Sequence, residues 1–208
     1  MTNVKKTYHH GDLRRSLLDE AVVMIDETGF DAISMRKLAD KVGVSRTALY
    51  HHFDGKPALL SALAEDGFVR FTAELQDNAR LARREKGDSS VSALHNYVAC
   101  YVDFAVENAA YYDLMFGREI WKTAQATESL KEVAYASFKT FVDTVVDWQQ
   151  DGLLVDDVDA LRYAQVAWAS LHGLSRLLID GIYIEQAARA SMIETMALMI
   201  SQCLARPE

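Results

Sequence analysis

The stretch from Ser34 to Lys56, SMRKLADKVGVSRTALYHHFDGK, constrains the fold more than any other part of this chain. It reads as two short helices joined by a tight turn. Ser34 is placed to cap the first, because its hydroxyl can accept an otherwise orphaned backbone N–H. That helix is expected from about Met35 to Val42, with Leu38, Ala39 and Val42 on one side and Arg36, Lys37, Asp40 and Lys41 on the other. Gly43 should end it, since glycine takes the left-handed conformation of a C-terminal cap without strain. Ser45 should cap a second helix, Arg46 to Phe53. At about 100° per residue, Leu49 and Phe53 point one way and Arg46, Thr47, Tyr50 and His51 the other. An arginine, two hydroxyls and an imidazole on one short outward face suit base edges and the phosphates beside them.

This is the pattern of a helix-turn-helix whose second helix enters the major groove. The segment VSRTALYHHFDGKPALL resembles the recognition-helix signature of the tetracycline-repressor (TetR) family of transcription regulators. Gly43-Val44-Ser45, Leu49-Tyr50, His52-Phe53, Lys56 and Leu59-Leu60 carry the likeness, and Ile33-Ser34-Met35-Arg36 with Leu38-Ala39 match the preceding helix. Arg46 is then the candidate for a bidentate contact with guanine, and Thr47 for a thymine methyl or a phosphate. Tyr50, His51 and Lys56 are expected on phosphates. Ser45 serves as cap and phosphate contact, and Arg36 reaches a base edge or phosphate. Ser34 and Met35 complete the expected DNA-binding set, while His52 lies toward the flank.

The net charge of −8 speaks at first against a nucleic-acid partner. Splitting the chain changes that: residues 1–60 hold nine Lys/Arg against eight Asp/Glu, and the remainder 13 against 22. Acid is concentrated away from the motif, so local placement of Lys5, Lys6, Arg36, Lys37, Arg46 and Lys56 must supply the attraction. An architectural protein that coats DNA without sequence choice fits this balance poorly. With 208 residues, half of them hydrophobic, the chain can bury a core. Cys100 and Cys203 suggest buried small hydrophobes rather than a disulfide framework. The pairs His9-His10 and His51-His52 diverge by about 100° on a helix and seldom chelate one ion. No metal or cofactor is expected. The N-terminus lacks the apolar core of a signal peptide and no run reaches membrane-spanning length, so a cytoplasmic protein without membrane association is expected.

Strand signals are scarce, and an all-α fold of about nine helices follows, three of them in an N-terminal head. Residues 1–56 read as an arm plus a DNA-binding domain, and residues 57–208 as a helical effector-binding and dimerisation domain. Lys5, Lys6, Tyr8 and the two histidines form an arm that is either a solvated tail or an extra DNA contact. Asp12 is expected to cap a helix running to Thr28, with Leu13, Leu17, Ala21, Met24, Ile25 and Thr28 inward. Pro57 falls in the first turn of a long helix reaching about Arg84. A polar break at residues 85–90 precedes helices at Val91–Asn108, Ala109–Phe116 and Glu128–Gln150. Residues 118–127 are the least regular part. Asp156 or Asp157 should cap the next helix, which ends near Gly181, and the last runs from about Glu185 to Ala205.

Trp168-Ala169-Ser170-Leu171-His172-Gly173-Leu174, with Leu177-Leu178 and Asp180-Gly181, is similar to the C-terminal domain type of this family named for Trp, His and Gly. YHHGDLRR at Tyr8–Arg15 resembles the lead-in of that branch. The resemblance implies a homodimer on a double-stranded operator, released by a small molecule; a ligand-dependent activator of the same fold is the alternative. Pairing is also physically expected, because one head reads few base pairs and half-sites repeat about every 34 Å. Ala164, Ala167, Leu171, Leu178, Met192, Met196 and Met199 are candidates for the seam, against burial within one subunit. Tyr97, Tyr101, Phe104, Tyr111, Met115 and Trp121 are candidates to line an effector pocket, as are Phe138, Phe141, Trp168 and His172, against plain core packing. An enzyme built on a buried base such as His172 would need a nucleophile elbow, phosphate loop or metal spacing, and none is present.

Overall fold

A computed structural model describes residues 10–30, 32–84, 90–117, 120–121, 126–154, 156–182 and 186–202. Among them are nine α-helices and no strand, as the all-α reading requires. Of the expected arm at residues 1–10, His10 instead opens the first helix and the rest lies outside the described residues, as do residues 85–89 of the polar break and Cys203.

The helices are α1 (His10–Thr28), α2 (Met35–Val42), α3 (Arg46–Tyr50), α4 (Gly55–Arg84), α5 (Ser90–Glu107), α6 (Ala109–Phe116), α7 (Glu128–Gln150), α8 (Ala160–Asp180) and α9 (Arg189–Gln202), with a 3-10 turn at Gln186–Ala188. Several termini follow from local chemistry. The Ser34 hydroxyl accepts the N–H of Lys37, and Gly43 closes α2 with φ 77°, a conformation that costs a side-chain-bearing residue strain. Val44 N then donates to the Ala39 carbonyl at 3.0 Å, securing the turn into α3.

Three expected boundaries differ. α1 begins at His10, so Asp12 lies inside the helix rather than at its cap. Asp159, not Asp156 or Asp157, caps α8 by accepting the Arg162 N–H at 2.9 Å. α3 ends at Tyr50, and the chain reaches Phe53 through a turn instead of continued helix. Thr28 is exposed, its hydroxyl spent on the Met24 carbonyl at 2.7 Å.

The chain packs as two compact units, Met1–Gly67 with Ala110–Lys131, and Phe68–Ala109 with Glu132–Glu208. The division falls inside α4, well past the helix-turn-helix. In the first unit, Leu17 and Ala21 of α1, Leu38 and Ala39 of α2, Leu49 of α3, and Leu59 and Leu63 of α4 are fully buried. α6 adds Tyr112 and Met115 to the same unit. It meets α4 closely at Gly67, where an added Cβ would stand 2.9 Å from Met115 Cγ and Sδ. The second unit is built on α5, which packs against α8 and α9. Its core is aromatic: Trp168 holds edge-on contacts with Phe71, Tyr101 and Phe138 at centroid distances of 5.5–5.8 Å.

Candidate nucleic-acid interface and body cleft

The short helix α3 has five residues, and only Leu49 of them is buried. Ser45 fixes its start, its hydroxyl accepting the Ala48 N–H at 3.1 Å. Arg46, Thr47, Tyr50 and His51 are exposed, and Tyr50 at 52 % is a large ring left in solvent. Behind them Leu49 and Phe53 are anchored in the core. The amphipathic division read from sequence therefore survives the early end of the helix, because the Phe53 N–H still bonds to the Leu49 carbonyl at 3.1 Å.

The remaining expected contacts divide. Arg36 is exposed on α2, facing Asp40 at 3.9 Å across a solvent-filled gap that counts for little. Ser34 is a cap, as above. Met35 is 9 % exposed and its side chain belongs to the core, because the first turn of α2 sits against the rest of the unit. Its placement among DNA-reading side chains is corrected. Lys56 is half-buried, and its ammonium donates to the Phe30 carbonyl at 2.7 Å, tying the loop after α1 to the start of α4. Sequence reasoning missed Arg14. Its guanidinium lies 5.4 Å from the centroid of Phe53, a cation–π contact that adds a positive charge beside the end of the motif.

Elsewhere in the first unit Asp66 is a hub. It accepts from Arg15 Nη1 and from the Tyr111 hydroxyl, both at 2.7 Å. Hydrogen bonding to Asp19 and the Asp66 charge strengthen protonation of Arg15, while burial and Asp66 push the Tyr111 hydroxyl pKa up. Tyr111 is thus held in the packing of α1, α4 and α6. Met115 is fully buried, and Trp121, partly exposed, donates from its indole N–H to the Met115 carbonyl at 2.8 Å.

The other pocket candidates fall in the second unit. Tyr97, Tyr101, Phe104 and Phe141 are buried, and Phe138, Trp168 and His172 half-buried. Most pack on one another: Tyr97 stacks on Phe141 at 5.6 Å and meets Trp148 edge-on at 5.0 Å. A cleft opens beside Tyr97, Phe141 and Trp168. Its polar wall consists of Thr72, Gln76, Ser137, Thr140 and Thr144, none anticipated from sequence. The space is about 230 Å³ including its open mouth, and the walls stand close together. Cys100 is half-buried; burial, then Glu74 and Asp103, raise its thiol pKa to about 12, so it stays protonated at neutral pH.

His172 lies on α8, where burial and then Arg176 lower its pKa. As pH falls through the ordinary histidine value of about 6.5, the unfolded chain takes up a proton that the folded chain resists, so stability drops from there downward. Urea midpoints at pH 7.5 and 5.5 should lie closer together for His172→Gln than for the unaltered chain. An equal gap in both would remove His172 as the cause.

Four of the expected seam residues, Ala164, Ala167, Leu171 and Leu178, are buried within the chain itself, on the face of α8 turned to its own unit. A helix stripe has the same period whichever partner buries it, and here the intramolecular reading holds. Met192 and Met196 are half-buried, and Met199 is 58 % exposed. A different apolar set lies open on α8 and α9: Leu161, Val166, Leu177, Leu198 and Met199. Among the described residues no His/Cys/Asp/Glu group could hold a metal, and no helix is long and apolar enough to cross a membrane.

Two capped helices at a tight turn, the second polar outward and anchored from behind, make this a helix-turn-helix DNA-binding protein. Comparison with known proteins agrees. Residues 17–63 match the family described as bacterial regulatory proteins, tetR family, and residues 94–200 match the tetracyclin repressor-like C-terminal domain. The chain belongs to the TetR family of transcription regulators. It is 29 % identical over 141 residues to an uncharacterized HTH-type transcriptional regulator, YobS of Bacillus subtilis, spanning 64 % of this chain and 71 % of that one. It is 44 % identical over 57 residues to the class D tetracycline repressor protein of Escherichia coli, a match covering 27 % of this chain and 26 % of the repressor. A solved structure of a protein of unknown function from Rhodococcus sp. RHA1 has 32 % identity and a TM-score of 0.81, covering 97 % of this chain and all of that one. The fatty acid degradation regulator FadR of Bacillus halodurans shares the fold at a TM-score of 0.70, with 15 % identity over 93 % of this chain and 97 % of that one. The matched family is one of transcription regulators. TetR regulators bind DNA operators and small-molecule effectors, commonly as dimers.

Proposed function

We propose that the protein is a cytoplasmic repressor that binds a palindromic operator as a homodimer and is released by a small molecule. The observation that carries this reading is the outward face of α3, where Arg46, Thr47, Tyr50 and His51 stand exposed over a buried Leu49. Arg46 reads guanine, Thr47 a thymine methyl or phosphate, and Ser45, Tyr50 and His51 hold the backbone. Arg36 approaches from α2, and Lys56, half-buried in the first turn of α4, contacts a phosphate. The DNA-reading function ends near Lys56, and sensing and pairing occupy the rest.

Arg46→Ala should lose about 1–3 kcal/mol of operator binding and relax one base position. Lys56→Ala should weaken all duplexes alike and reduce the salt slope by about one. Fluorescence anisotropy against a palindrome found by footprinting the protein's own promoter region measures both. Unchanged affinity in Arg46→Ala would overturn the assignment.

Pairing is proposed on the open face of α8 and α9. Val166, Ala169, Gly173 and Leu177 recur at helical spacing on α8, with Leu198 and Met199 on α9. An added Cβ at Gly173 would meet nothing within 4 Å in the single chain, so intrachain packing does not call for glycine there. A partner helix in close approach does.

The cleft is the proposed effector site. Thr72, Leu75 and Gln76 line it from α4, the helix that also carries Lys56 in its first turn. A ligand that parts the cleft walls moves that helix, and a change in affinity for DNA follows if the two states bind ligand differently.

A further inference from the structure

Resting on the effector reading, we propose that the cleft takes a small, uncharged, ring-bearing molecule that donates hydrogen bonds through O–H or N–H, a phenol being the simplest case. Charge is decided by the walls. The polar lining groups Thr72, Gln76, Ser137, Thr140 and Thr144 are all neutral, and the remainder are Leu75, Tyr97, Phe141 and Trp168. Burial raises the Tyr97 pKa, so that hydroxyl is neutral as well. A carboxylate, phosphate or ammonium entering here would lose its water and meet no opposite charge.

Donor and acceptor preference follows from where the hydroxyl protons already point. Thr140 donates to the Ala136 carbonyl at 3.0 Å, and Thr144 to the Thr140 carbonyl at 2.9 Å. Each hydroxyl has one proton, so what these two offer the cleft is lone pairs. Thr72 in turn donates to Ser137 Oγ at 2.7 Å. Those threonine oxygens need protons from a ligand, while the Gln76 amide and the Ser137 hydroxyl keep protons to donate, so a group that both donates and accepts, such as a hydroxyl, matches the wall. A molecule that only accepts would leave the threonine oxygens desolvated and unmatched.

Shape comes from the aromatic side. Tyr97, Phe141 and Trp168 present ring faces and edges, which favour a flat apolar frame. The walls leave little room between them, which favours a small frame of about a single ring. The walls as they stand leave no room for a ring, so a ring enters by separating the α4 wall from the α7 wall and supplying hydrogen bonds to the oxygens there.

The test uses calorimetry on the full-length protein with three probes of one frame: p-cresol, 4-methylanisole and 4-methylbenzoate. p-Cresol should bind at least about tenfold more tightly than its methyl ether, because a site built to hydrogen-bond a hydroxyl rejects the analogue lacking it. The carboxylate should give no heat at the same concentrations. The double variant Thr140→Val, Thr144→Val keeps the shape and removes both acceptors, and p-cresol and the ether should then bind about equally. Thr140→Ser with Thr144→Ser restores the oxygens and should restore the preference. Tighter or equal binding of the ether or the carboxylate to the unaltered protein overturns the proposal. So does the absence of heat with all three probes, or a preference that survives in the valine variant. Operator release is scored separately: p-cresol that binds with the expected preference but leaves DNA bound supports the ligand class and overturns the effector reading.

Discussion

A chain with glutamate at both Val166 and Leu177 should sediment as a monomer and lose operator affinity by about 10²- to 10⁴-fold, the advantage that linking two weak binding events confers. Both side chains are open in the single chain, Val166 at 69 % and Leu177 at 40 %, so the substitutions disturb little of the fold. Thermal midpoints under dilute conditions should therefore stay close to the parent's. Across a paired face the same carboxylates would be buried without partners, which a seam of Val, Leu, Ala and Gly cannot accommodate. Sedimentation velocity and anisotropy on the same sample give the two readouts. A dimer that persists with both glutamates in place would move the seam elsewhere.

The second large effect is expected at Leu49. Its side chain is fully buried and anchors a helix of only five residues, too short to stand by its own hydrogen bonds. Leu49→Ala should cost about 2–5 kcal/mol, the range for deleting a buried leucine where the surroundings relax only in part. Against a total domain stability of about 5–15 kcal/mol that is a large share. Urea unfolding should show a lower midpoint, and operator binding should fall as well because α3 loses its seat. Arg46→Ala should separate the two, with binding reduced and the urea midpoint unchanged. If Leu49→Ala left both intact, α3 would be held by something other than its core residue.

The motif was legible because each of its signals is local. Ser34, Gly43 and Ser45 act on backbone groups within a few residues, so α2 falls at its expected residues and α3 starts at its expected one. Asp156 and Asp157 show the limit of the same logic: three acidic residues stand just before α8, and the one adjacent to its first residue, Asp159, serves as cap. The face of α8 marks a different limit. Ala164, Ala167, Leu171 and Leu178 repeat with the period of any buried stripe, and that period does not say whose surface covers it. Met35 was misplaced for a related reason, since a helix N-terminus near DNA can still turn its first side chain inward. The cleft threonines were passed over because a threonine on a helix ordinarily reads as solvent-facing. Ser137, Thr140 and Thr144 do share a face with Phe141, and that mixed polar and aromatic stripe was the available signal.

The placement of the packing boundary inside α4 has a practical consequence for anyone cutting or recombining such chains. A fragment ended after Lys56 keeps every residue proposed to read DNA, yet it discards Leu59 and Leu63 from its interior and takes Asp66 away from Arg15. It also discards the returning segment 110–131, with Tyr111 and Met115. The reading module is therefore not a contiguous cassette. A chimera that grafts this specificity onto another sensor would have to splice beyond Gly67 and carry the α6 segment along.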